Sequence, residues 1–426
     1  MTEAFLHHVW QHQLFQPGLA TTDGQPLVVL KAGEPNKDAG PDFFNARIRI
    51  GDIEWAGNIE IHIHTTDWHA HRHHLDAAYN NVILHVVYEH DGEIHQSNGK
   101  TPPTLELKKY IHPSLAANYE TLTAPPTGSA NPCFSKVKEI PPFIISSWLE
   151  RLAAERIETK AATVSRILNE SKGDWSLTCH RLLARHFGGK ANALPFELLA
   201  KTIDPKLLAR WSNDCTRIEA LLMGQAGLLD EYYEDEYPRL LQADYEPLRT
   251  ALGLQPIAPH LWKLHRLRPS SFPTIRISQF AALLAQSPNL FPLLLDTTDA
   301  KQISRLFNLP AAPYWNNHYH FDRPAAKSSV KHIGTMQADT LIINAWVPLL
   351  FVYGAEHGSQ RYKDQAISLL QQLPPEDNAV VRQWRKAGVQ PTDAGGSQAL
   401  LQLQNAYCPQ RRCLQCRIGY HLLKRK

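Results

Sequence analysis

Residues 58–64 read Asn-Ile-Glu-Ile-His-Ile-His, a strict alternation of polar and apolar side chains that decides the fold of the first part of the chain. Successive side chains of a β-strand point to opposite faces of a sheet, so Glu60, His62 and His64 share one face and the isoleucines share the other. Neighbours on one face lie about 6.5–7 Å apart, close enough for two of them to contact one divalent ion. The stretch therefore predicts a strand with a metal-binding face.

Further short apolar runs, separated by turn signals, surround this strand through residue 112. Gly51-Asp52 is typical of a turn between two strands. The runs predict, in chain order, a helix over 5–15, strands over 26–30, 44–50 and 54–64, a helix over 71–80, and strands over 82–88 and 104–108. This order of helix, three strands, helix and strand indicates an α/β domain.

The second part of the chain has a different pattern. From about residue 140 onward, apolar residues recur at spacings of three and four, as they do in helices. The stretch between the two patterns is rich in Pro, Gly and Ser, which is typical of a linker. The sequence therefore predicts an α+β protein with an α/β domain over 1–123, a linker over 124–142 and a mostly α-helical domain over 143–426.

The charge balance, the N-terminus and the apolar segments argue against a strongly basic nucleic-acid-binding protein, a secreted protein and a membrane protein. The chain has 44 Lys and Arg against 41 Asp and Glu, so any contact with nucleic acid depends on local patches rather than on net charge. Its N-terminus lacks the basic and apolar segments of a secretory signal. Its most apolar stretch, 341–354, is shorter than the roughly 20 residues that span a membrane and predicts a buried helix. Because the six cysteines suggest no disulfide framework, we expect a cytoplasmic protein without a membrane segment.

Acidic residues accompany the histidines of the first domain. Pro41-Asp42 precedes the second strand, and Glu60-Ile61-His62 lies on the third. This arrangement resembles the core of the restriction-endonuclease-like superfamily, the PD-(D/E)xK nucleases, with His62 in place of the Lys. The order of elements also matches that superfamily's αβββαβ core. The resemblance implies metal-assisted phosphodiester hydrolysis, in which Asp42 and Glu60 hold Mg²⁺ or Mn²⁺ and His62 positions water or binds the ion.

The geometry of this predicted site depends on the hairpin. A two-residue turn at Gly51-Asp52 pairs residue 42 with residue 61, which puts the Asp42 side chain on the isoleucine face, away from Glu60. The site therefore requires a bulge, a three-residue turn or a kink at Gly40-Pro41. In the alternative interpretation, Asp42 braces a turn and Glu60 is an exposed strand residue without a catalytic role.

Other potential ligands flank these residues. Glu34 or Asp38 would supply a further carboxylate, and His71, His73 and Asp76 would form a second ligand group near the strand face. Carboxylates favour magnesium or manganese, whereas added imidazoles shift the preference toward manganese, zinc or iron. The metal expected at the acidic site is therefore Mg²⁺ or Mn²⁺, with a transition metal as the alternative.

Two further interpretations concern the histidines. Gly57, His62 and His64 would fit a cupin-like barrel site, although the other elements of that pattern are not visible. His85 lies inside the apolar run 82–88, and we expect it to be a hydrogen-bonded core histidine rather than a ligand.

A cysteine cluster lies near the C-terminus. Cys408, Cys413 and Cys416 form a C-x4-C-x2-C run, and His421 follows. These spacings predict a zinc site completed by His421, with free thiols as the alternative. The loop also resembles the iron–sulfur loop of the endonuclease-III-like DNA glycosylases, but Leu422 stands where that pattern has its last cysteine, which favours zinc over an iron–sulfur cluster. The other candidates for a fourth ligand are Cys133, Cys179 and Cys215.

Over nearly its full length the chain resembles a family of bacterial proteins called domain of unknown function 2851. The resemblance rests on the motifs in 38–46, 55–62, 67–76, 82–87 and 407–419. It implies no activity, so the functional hypothesis rests on the residues above.

The leading hypothesis is a divalent-metal-dependent nuclease or nuclease-like phosphodiesterase that acts on DNA or RNA. A second hypothesis is a non-catalytic nucleic-acid or protein-binding module, in which the basic residues around a structural zinc knuckle contact phosphate. A third is a histidine-metal enzyme that acts on a small molecule.

Overall fold

The computed structural model describes residues 1–36, 38–124 and 131–425. Residues 125–130 of the predicted linker lie outside the described residues. The chain divides into two compact units, the first comprising Met1–Trp148, Lys386–Val389 and Leu403–Lys426, and the second comprising Leu149–Arg385 and Gln390–Gln402. The first unit contains a mixed sheet and the second is mostly helical, so the protein is α+β, as the sequence predicts.

The first unit is built around a mixed sheet. Its strands are β1 (Leu27–Lys31), β2 (Glu34–Pro35), β3 (Phe43–Ile50), β4 (Ile53–His64), β5 (Val82–Glu89) and β6 (Thr104–Glu106). Their order is β1-β3-β4-β5-β6, and β2 also pairs with β3. The pairs β1–β3 and β3–β4 are antiparallel, whereas β4–β5 and β5–β6 are parallel. Each strand that the alternation predicts is present.

A bulge in β3 sets the register of the central hairpin. The turn at Gly51-Asp52 pairs Ile50 with Ile53, and the same register continues to Ala46 opposite Gly57. Beyond this point Phe43 lies opposite Ile59, so β3 contains one extra residue. Asn45 lies in this extra stretch with a left-handed φ of 52°. The bulge brings residue 42 opposite residue 60 instead of 61, which is the condition that the predicted site requires.

The N-terminal part of the first unit contains three helices. They are α1 (Glu3–Gln11), α2 (Asp67–Ala70) and α3 (Pro113–Thr123). Thr2 begins α1 as its N-cap and accepts a hydrogen bond from the N–H of Phe5. The apolar side of α1 packs against β4, and Trp10 is fully buried there.

The helix predicted over 71–80 is wrong. The crossover from β4 to β5 consists of α2 and two 3-10 turns, His73–Leu75 and Ala77–Asn81. Arg72 interrupts any longer helix because its φ is 63°. Asp76 then starts the second turn by accepting a hydrogen bond from the N–H of Ala78 over 2.8 Å.

The remaining helices follow the predicted periodicity. They are α4 (Pro142–Glu170), α5 (Trp175–Phe187), α6 (Gly189–Lys201), α7 (Pro205–Ala209), α8 (Cys215–Gln225), α9 (Glu236–Leu252), α10 (Pro273–Gln286), α11 (Leu290–Asp296), α12 (Ala300–Phe307), α13 (Thr335–Leu341), α14 (Val347–Glu356), α15 (Gln360–Gln372), α16 (Ala379–Ala387), α17 (Ala394–Gln402) and α18 (Arg417–Leu423). Single π-helical turns lie at Ile342–Trp346 and Leu403–Tyr407, and a short hairpin joins β7 (His318–His320) to β8 (Arg323–Pro324).

The predicted apolar helix lies in the core of the second unit. Within the described parts of the chain, Thr335–Glu356 is the span that is long and apolar enough to cross a membrane, and 72% of its most apolar window is buried. Trp346 and Leu350, for example, are 1% and 0% exposed. An apolar helix with most of its surface buried is typical of a soluble protein core.

The C-terminal segment belongs to the first unit, whereas the predicted boundaries place it with the helical domain. Helix α18 packs against α3. The side-chain amide of Asn118 donates to the carbonyl oxygens of Leu423 and Arg425, at 3.3 and 2.7 Å. These contacts hold the end of the chain against the helix that follows the sheet.

Candidate metal centre

Four side chains converge over the polar face of β4. Oε1 of Glu60 lies 3.5 Å from Nε2 of His62 and 3.1 Å from Nε2 of His73. Nε2 of His62 lies 3.1 Å from Nδ1 of His71. One nitrogen from each of these three histidines lies within 4.8 Å of the other two. The predicted Glu60 and His62 therefore lie together, and two histidines of the predicted second group join them.

A sharp turn after β4 brings these histidines back over the strand. The left-handed Arg72 separates His71, at the end of α2, from His73, which begins a 3-10 turn. The two imidazole rings lie 5.5 Å apart at an angle of 85°. His73 is buried and His71 is exposed, so the set opens to solvent at His71.

His85 lies behind the candidate ligands on β5. It pairs in register with Glu60, and its Nε2 lies 2.8 Å from Nδ1 of His62. Its side chain is fully buried, and its ring lies 5.2 Å from that of Trp68. When His62 donates its Nδ1–H to His85, its Nε2 keeps a lone pair for the ligand set. This core histidine can therefore orient a candidate ligand.

Asp42 lies beside Glu60 but outside the set of histidines. Its backbone N–H donates to Oε2 of Glu60 over 3.1 Å, which leaves Oε1 facing the imidazoles. Its Oδ2 accepts the N–H of Ile61 over 2.9 Å and lies 3.2 Å from Nε2 of His7. The backbone at Asp42 thus orients Glu60, and direct metal binding by the Asp42 carboxylate stays a prediction.

His7 is a site residue that the sequence analysis missed. Burial lowers its pKa, but contact with the Asp42 carboxylate outweighs this effect, so the pKa of His7 is raised. The residue lies on α1, where a histidine beside an apolar helix face gives no specific signal. Its contact with Asp42 forms only in the folded chain, so the sequence gives no sign of it.

Burial dominates the electrostatics of the set. It lowers the pKa of His62 to about 3, with further contributions from His73 and His71. It also lowers the pKa of His85 well below the ordinary value of 6.5. The pKa of Glu60 is raised by burial, against an opposing contact with His73. Neutral imidazoles have the lone pairs that metal ions bind.

The spacing of these atoms fits one transition-metal ion. Around a tetrahedral ion with metal–nitrogen bonds of about 2.0–2.1 Å, the ligand atoms lie about 3.3 Å apart. Three neighbouring pairs of these atoms lie 3.1, 3.1 and 3.5 Å apart, and the three histidine nitrogens all lie within 4.8 Å of one another. Nε2 of His73 is buried, and Oε1 of Glu60 lies beside it at 3.1 Å. The nitrogens of His62, His71 and His73 thus form a candidate ligand set, and Glu60 contacts two of the three. Three histidine ligands would leave a fourth position for water or substrate.

A polar groove continues along the same face of the sheet. Asn58 shares the face of Glu60, because the two residues are two positions apart on β4. Asn58 lines a cavity of about 810 Å³ together with Asn45, Lys31 and Arg47. Arg47 is exposed, and Lys31 forms an exposed ion pair. The groove is therefore lined by two basic side chains, Lys31 and Arg47, and by the acidic Glu54, and Asn58 joins it to the face of Glu60.

The remaining predicted ligands lie outside the set. Asp76 caps a 3-10 turn, and Glu34 pairs with Lys31 at 2.9 Å. The sheet is open, so it does not form the barrel that a cupin-like site requires. Three of the predicted residues are exposed: Glu34, Asp38 and His64.

The surroundings of the three C-terminal cysteines, Cys408, Cys413 and Cys416, differ from those of the predicted zinc site. The turn that contains Cys133 contacts the C-terminal segment, because the amide of Asn131 donates to the side chain of Gln404 over 2.9 Å, and burial raises the pKa of Cys133. His421, the predicted fourth ligand, lines a small cavity beside the start of α4. The other cysteines lie in the second unit: Cys179 in α5 and Cys215 at the start of α8.

Fold and site together define an α+β protein with a candidate metal centre on the polar face of its sheet. The family model described as "Protein of unknown function (DUF2851)" matches residues 3–379. The chain belongs to this family, and the match includes the whole candidate centre but ends before Cys408. Searches of curated proteins and of solved structures found no match.

Proposed function

We propose that this protein is a divalent-metal-dependent hydrolase of phosphodiester bonds, a nuclease or nuclease-like phosphodiesterase that acts on DNA or RNA. The observation that carries the proposal is the convergence of Glu60, His62, His71 and His73, whose neighbouring ligand atoms are 3.1 to 3.5 Å apart. The ligand set lies beside a groove that contains positive charge, which suits a phosphate backbone.

The chemistry of the ligand set also indicates which metal ion the site would prefer. Three imidazoles and one carboxylate favour manganese, zinc or iron over magnesium. A metal ion at this position would polarise a phosphoryl oxygen and lower the pKa of a water molecule. His71 lies at the exposed side of the set, where substrate and water have access.

The protein's own groups would hold the substrate and keep the ligands in place. Lys31 and Arg47 would attract phosphates along the groove. The backbone at Asp42 fixes one oxygen of Glu60, and His85 fixes the tautomer of His62. Because these groups are ordered before substrate binds, little reorganisation is needed when the phosphodiester arrives.

The hairpin supports the resemblance to the PD-(D/E)xK nucleases. The bulge in β3 puts Asp42 beside Glu60, and β5 returns parallel to β4 after a crossover. His62 occupies the position of the Lys, and its contacts with Glu60 and His71 give it the surroundings of a metal ligand. The proposed site therefore differs from that superfamily in using imidazoles.

Metal analysis and cleavage assays on the same preparations test the proposal. Metal content would be measured by mass spectrometry, and cleavage of single- and double-stranded DNA and RNA would be followed with Mn²⁺, Zn²⁺ and Mg²⁺. We expect the wild-type protein to bind one equivalent of a transition metal at the centre and to cleave at least one of these substrates. Glu60→Gln and His73→Ala should lose both properties with an unchanged circular dichroism spectrum.

His69→Ala is the matched control, because His69 is an exposed histidine of the same crossover that lies outside the ligand set. It should retain metal and cleavage. Metal binding without cleavage of any nucleic acid would contradict the proposal and support a small-molecule enzyme. Salt-sensitive nucleic-acid binding without metal at Glu60 and His73 would contradict it in favour of a binding module.

A further inference from the structure

A cavity of about 210 Å³ lies within the second unit. It is lined by residues of α5, α7, α10 and α11 and of the turn that joins the last two helices. Ser176, Lys206 and Asn289 are exposed lining residues, so the cavity opens to solvent on their side. Its inner wall consists mainly of buried apolar side chains: Leu183, Leu208, Phe280, Leu284, Leu290 and Phe291.

His180 is the exception in this apolar wall. Its side chain lines the cavity and is only 4% exposed, and its ring lies 5.4 Å from that of Phe280. Neither Nδ1 nor Nε2 of His180 has a hydrogen-bond partner among the described residues. Buried polar atoms nearly always have a partner, because leaving one unpaired costs free energy. An occupant of the cavity would lie beside this ring and could supply the missing partner.

The interior of the cavity favours an uncharged occupant. The charged lining residues Asp174 and Lys206 lie 3.9 Å apart, between Oδ2 and Nζ, and Lys206 is exposed. Burial lowers the pKa of His180 to about 4, so its imidazole is neutral at pH 7. A neutral imidazole has one nitrogen that donates a hydrogen bond and one that accepts. An uncharged molecule with a hydrogen-bonding group therefore matches the inner wall, whereas an ion would lose its hydration there.

The volume limits the size of the occupant. An apolar cavity of about 150 Å³ accepts benzene, and pockets for drug-sized ligands begin near roughly 300 Å³. The cavity of about 210 Å³ lies between these values and has room for one or two fused rings. Phe280 and Phe291 offer it aromatic surfaces, against which another ring packs well.

We propose that this cavity binds a small, uncharged aromatic molecule with an N–H or O–H group that donates to the unprotonated nitrogen of His180. The proton of the imidazole is then on its other nitrogen, which is left for a water molecule in the remaining space. The site shares no residue with the candidate metal centre, so it goes beyond the proposed hydrolase function.

Titration of the full chain with indole and with indene, followed by calorimetry, tests the proposal. The two molecules have the same two-ring shape, but only indole has an N–H group. We expect indole to saturate one site per chain and indene to bind about 10-fold more weakly, because indene leaves His180 unpaired. An affinity for indole no higher than that for indene, or no saturable binding of indole, would overturn the proposal. These measurements on the wild-type protein are decisive even if a variant fails to fold.

Variants locate the binding site. His180→Phe retains a buried ring without the two nitrogens, so it should lose the preference for indole over indene. His265→Phe is the matched control, because His265 is an exposed histidine of the second unit, and it should retain the wild-type preference. Ala209→Trp should fill the cavity and abolish the binding of both molecules.

A His180→Phe protein that still prefers indole, or an Ala209→Trp protein that still binds it, would contradict the assignment. Neither measurement involves metal or cleavage of nucleic acid. Their outcome is therefore independent of the result at Glu60 and His73.

Discussion

The backbone N–H of Asp42 donates to Glu60, whereas the Asp42 carboxylate accepts the N–H of Ile61 and contacts His7. A change of the side chain leaves the first of these bonds in place. We therefore expect Asp42→Asn to lower metal affinity by about 10-fold, as the loss of an outer-shell partner does, and Glu60→Gln to lower it by roughly 100-fold or more. Competition with a chromophoric chelator measures both affinities.

Asp38→Asn is the control, because Asp38 is an exposed carboxylate of the loop before β3. Its metal affinity should equal that of the wild-type protein. If Asp42→Asn and Glu60→Gln lose metal to the same extent, the Asp42 carboxylate is itself a ligand, as the resemblance to the nucleases implies. The comparison thus separates a positioning residue from a ligand.

The bulge of β3 is the element that makes the candidate site possible, and Asn45 carries its unusual backbone. The φ of Asn45 is 52°, a conformation that Asn and Gly tolerate and that a β-branched residue does not. We expect Asn45→Val to lower the free energy of unfolding of the first unit by about 1–2 kcal/mol and to weaken metal binding. Asn45→Gly should leave both unchanged within experimental error.

Urea unfolding and chelator competition on the two variants check this expectation. The exposed Arg49→Val in the regular part of β3 controls for adding a β-branched residue to the strand. Equal stability and metal affinity for Asn45→Val and Asn45→Gly would show that the left-handed backbone at this position has no role in holding the site.

At the level of elements, the sequence reveals the strands but not their irregularities. Alternation in 58–64 is sufficient to predict β4 and the shared face of Glu60 and His62. The bulge depends on one left-handed Asn that no local pattern marks. The crossover is likewise broken by Arg72, so His71 and His73 return to the face of Glu60 and complete one ligand set, whereas the sequence suggested two.

For the whole molecule, helical periodicity shows that a segment is amphipathic but not which partner its apolar side contacts. The predicted boundaries therefore place α18 with the helical domain, whereas it packs against α3 in the first unit. The same limit applies to Cys133. The turn that contains it contacts the chain end through Asn131, whose amide donates to Gln404 over 2.9 Å, and sequence spacing does not encode this return of the chain.

The stability of the second unit should depend on pH through one buried carboxyl group. Glu219 is fully buried and accepts hydrogen bonds from the indole of Trp315 at 2.6 Å and the hydroxyl of Ser278 at 2.7 Å. Burial outweighs these bonds and raises the pKa of Glu219 to about 7 from an ordinary value of 4.5. Below pH 4.5 both folded and unfolded chains are protonated here, so the stabilising contribution is complete. It is lost as pH rises through 7, because the unfolded chain releases this proton more readily.

The raised pKa of Glu219 corresponds to a loss of about 3 kcal/mol in the free energy of unfolding between pH 4 and pH 8, since one pKa unit is worth about 1.4 kcal/mol. A neutral amide imitates the protonated acid, so Glu219→Gln should reduce the loss of stability between these pH values by about this amount. Urea unfolding of both proteins at pH 5, 6, 7 and 8 measures the difference, with the exposed Glu236→Gln as control. Parallel curves for wild type and Glu219→Gln would show that this carboxyl group is already ionised in the folded core. The wild-type and Glu236→Gln curves should have the same dependence on pH, because Glu236 is exposed and makes no contact with Glu219.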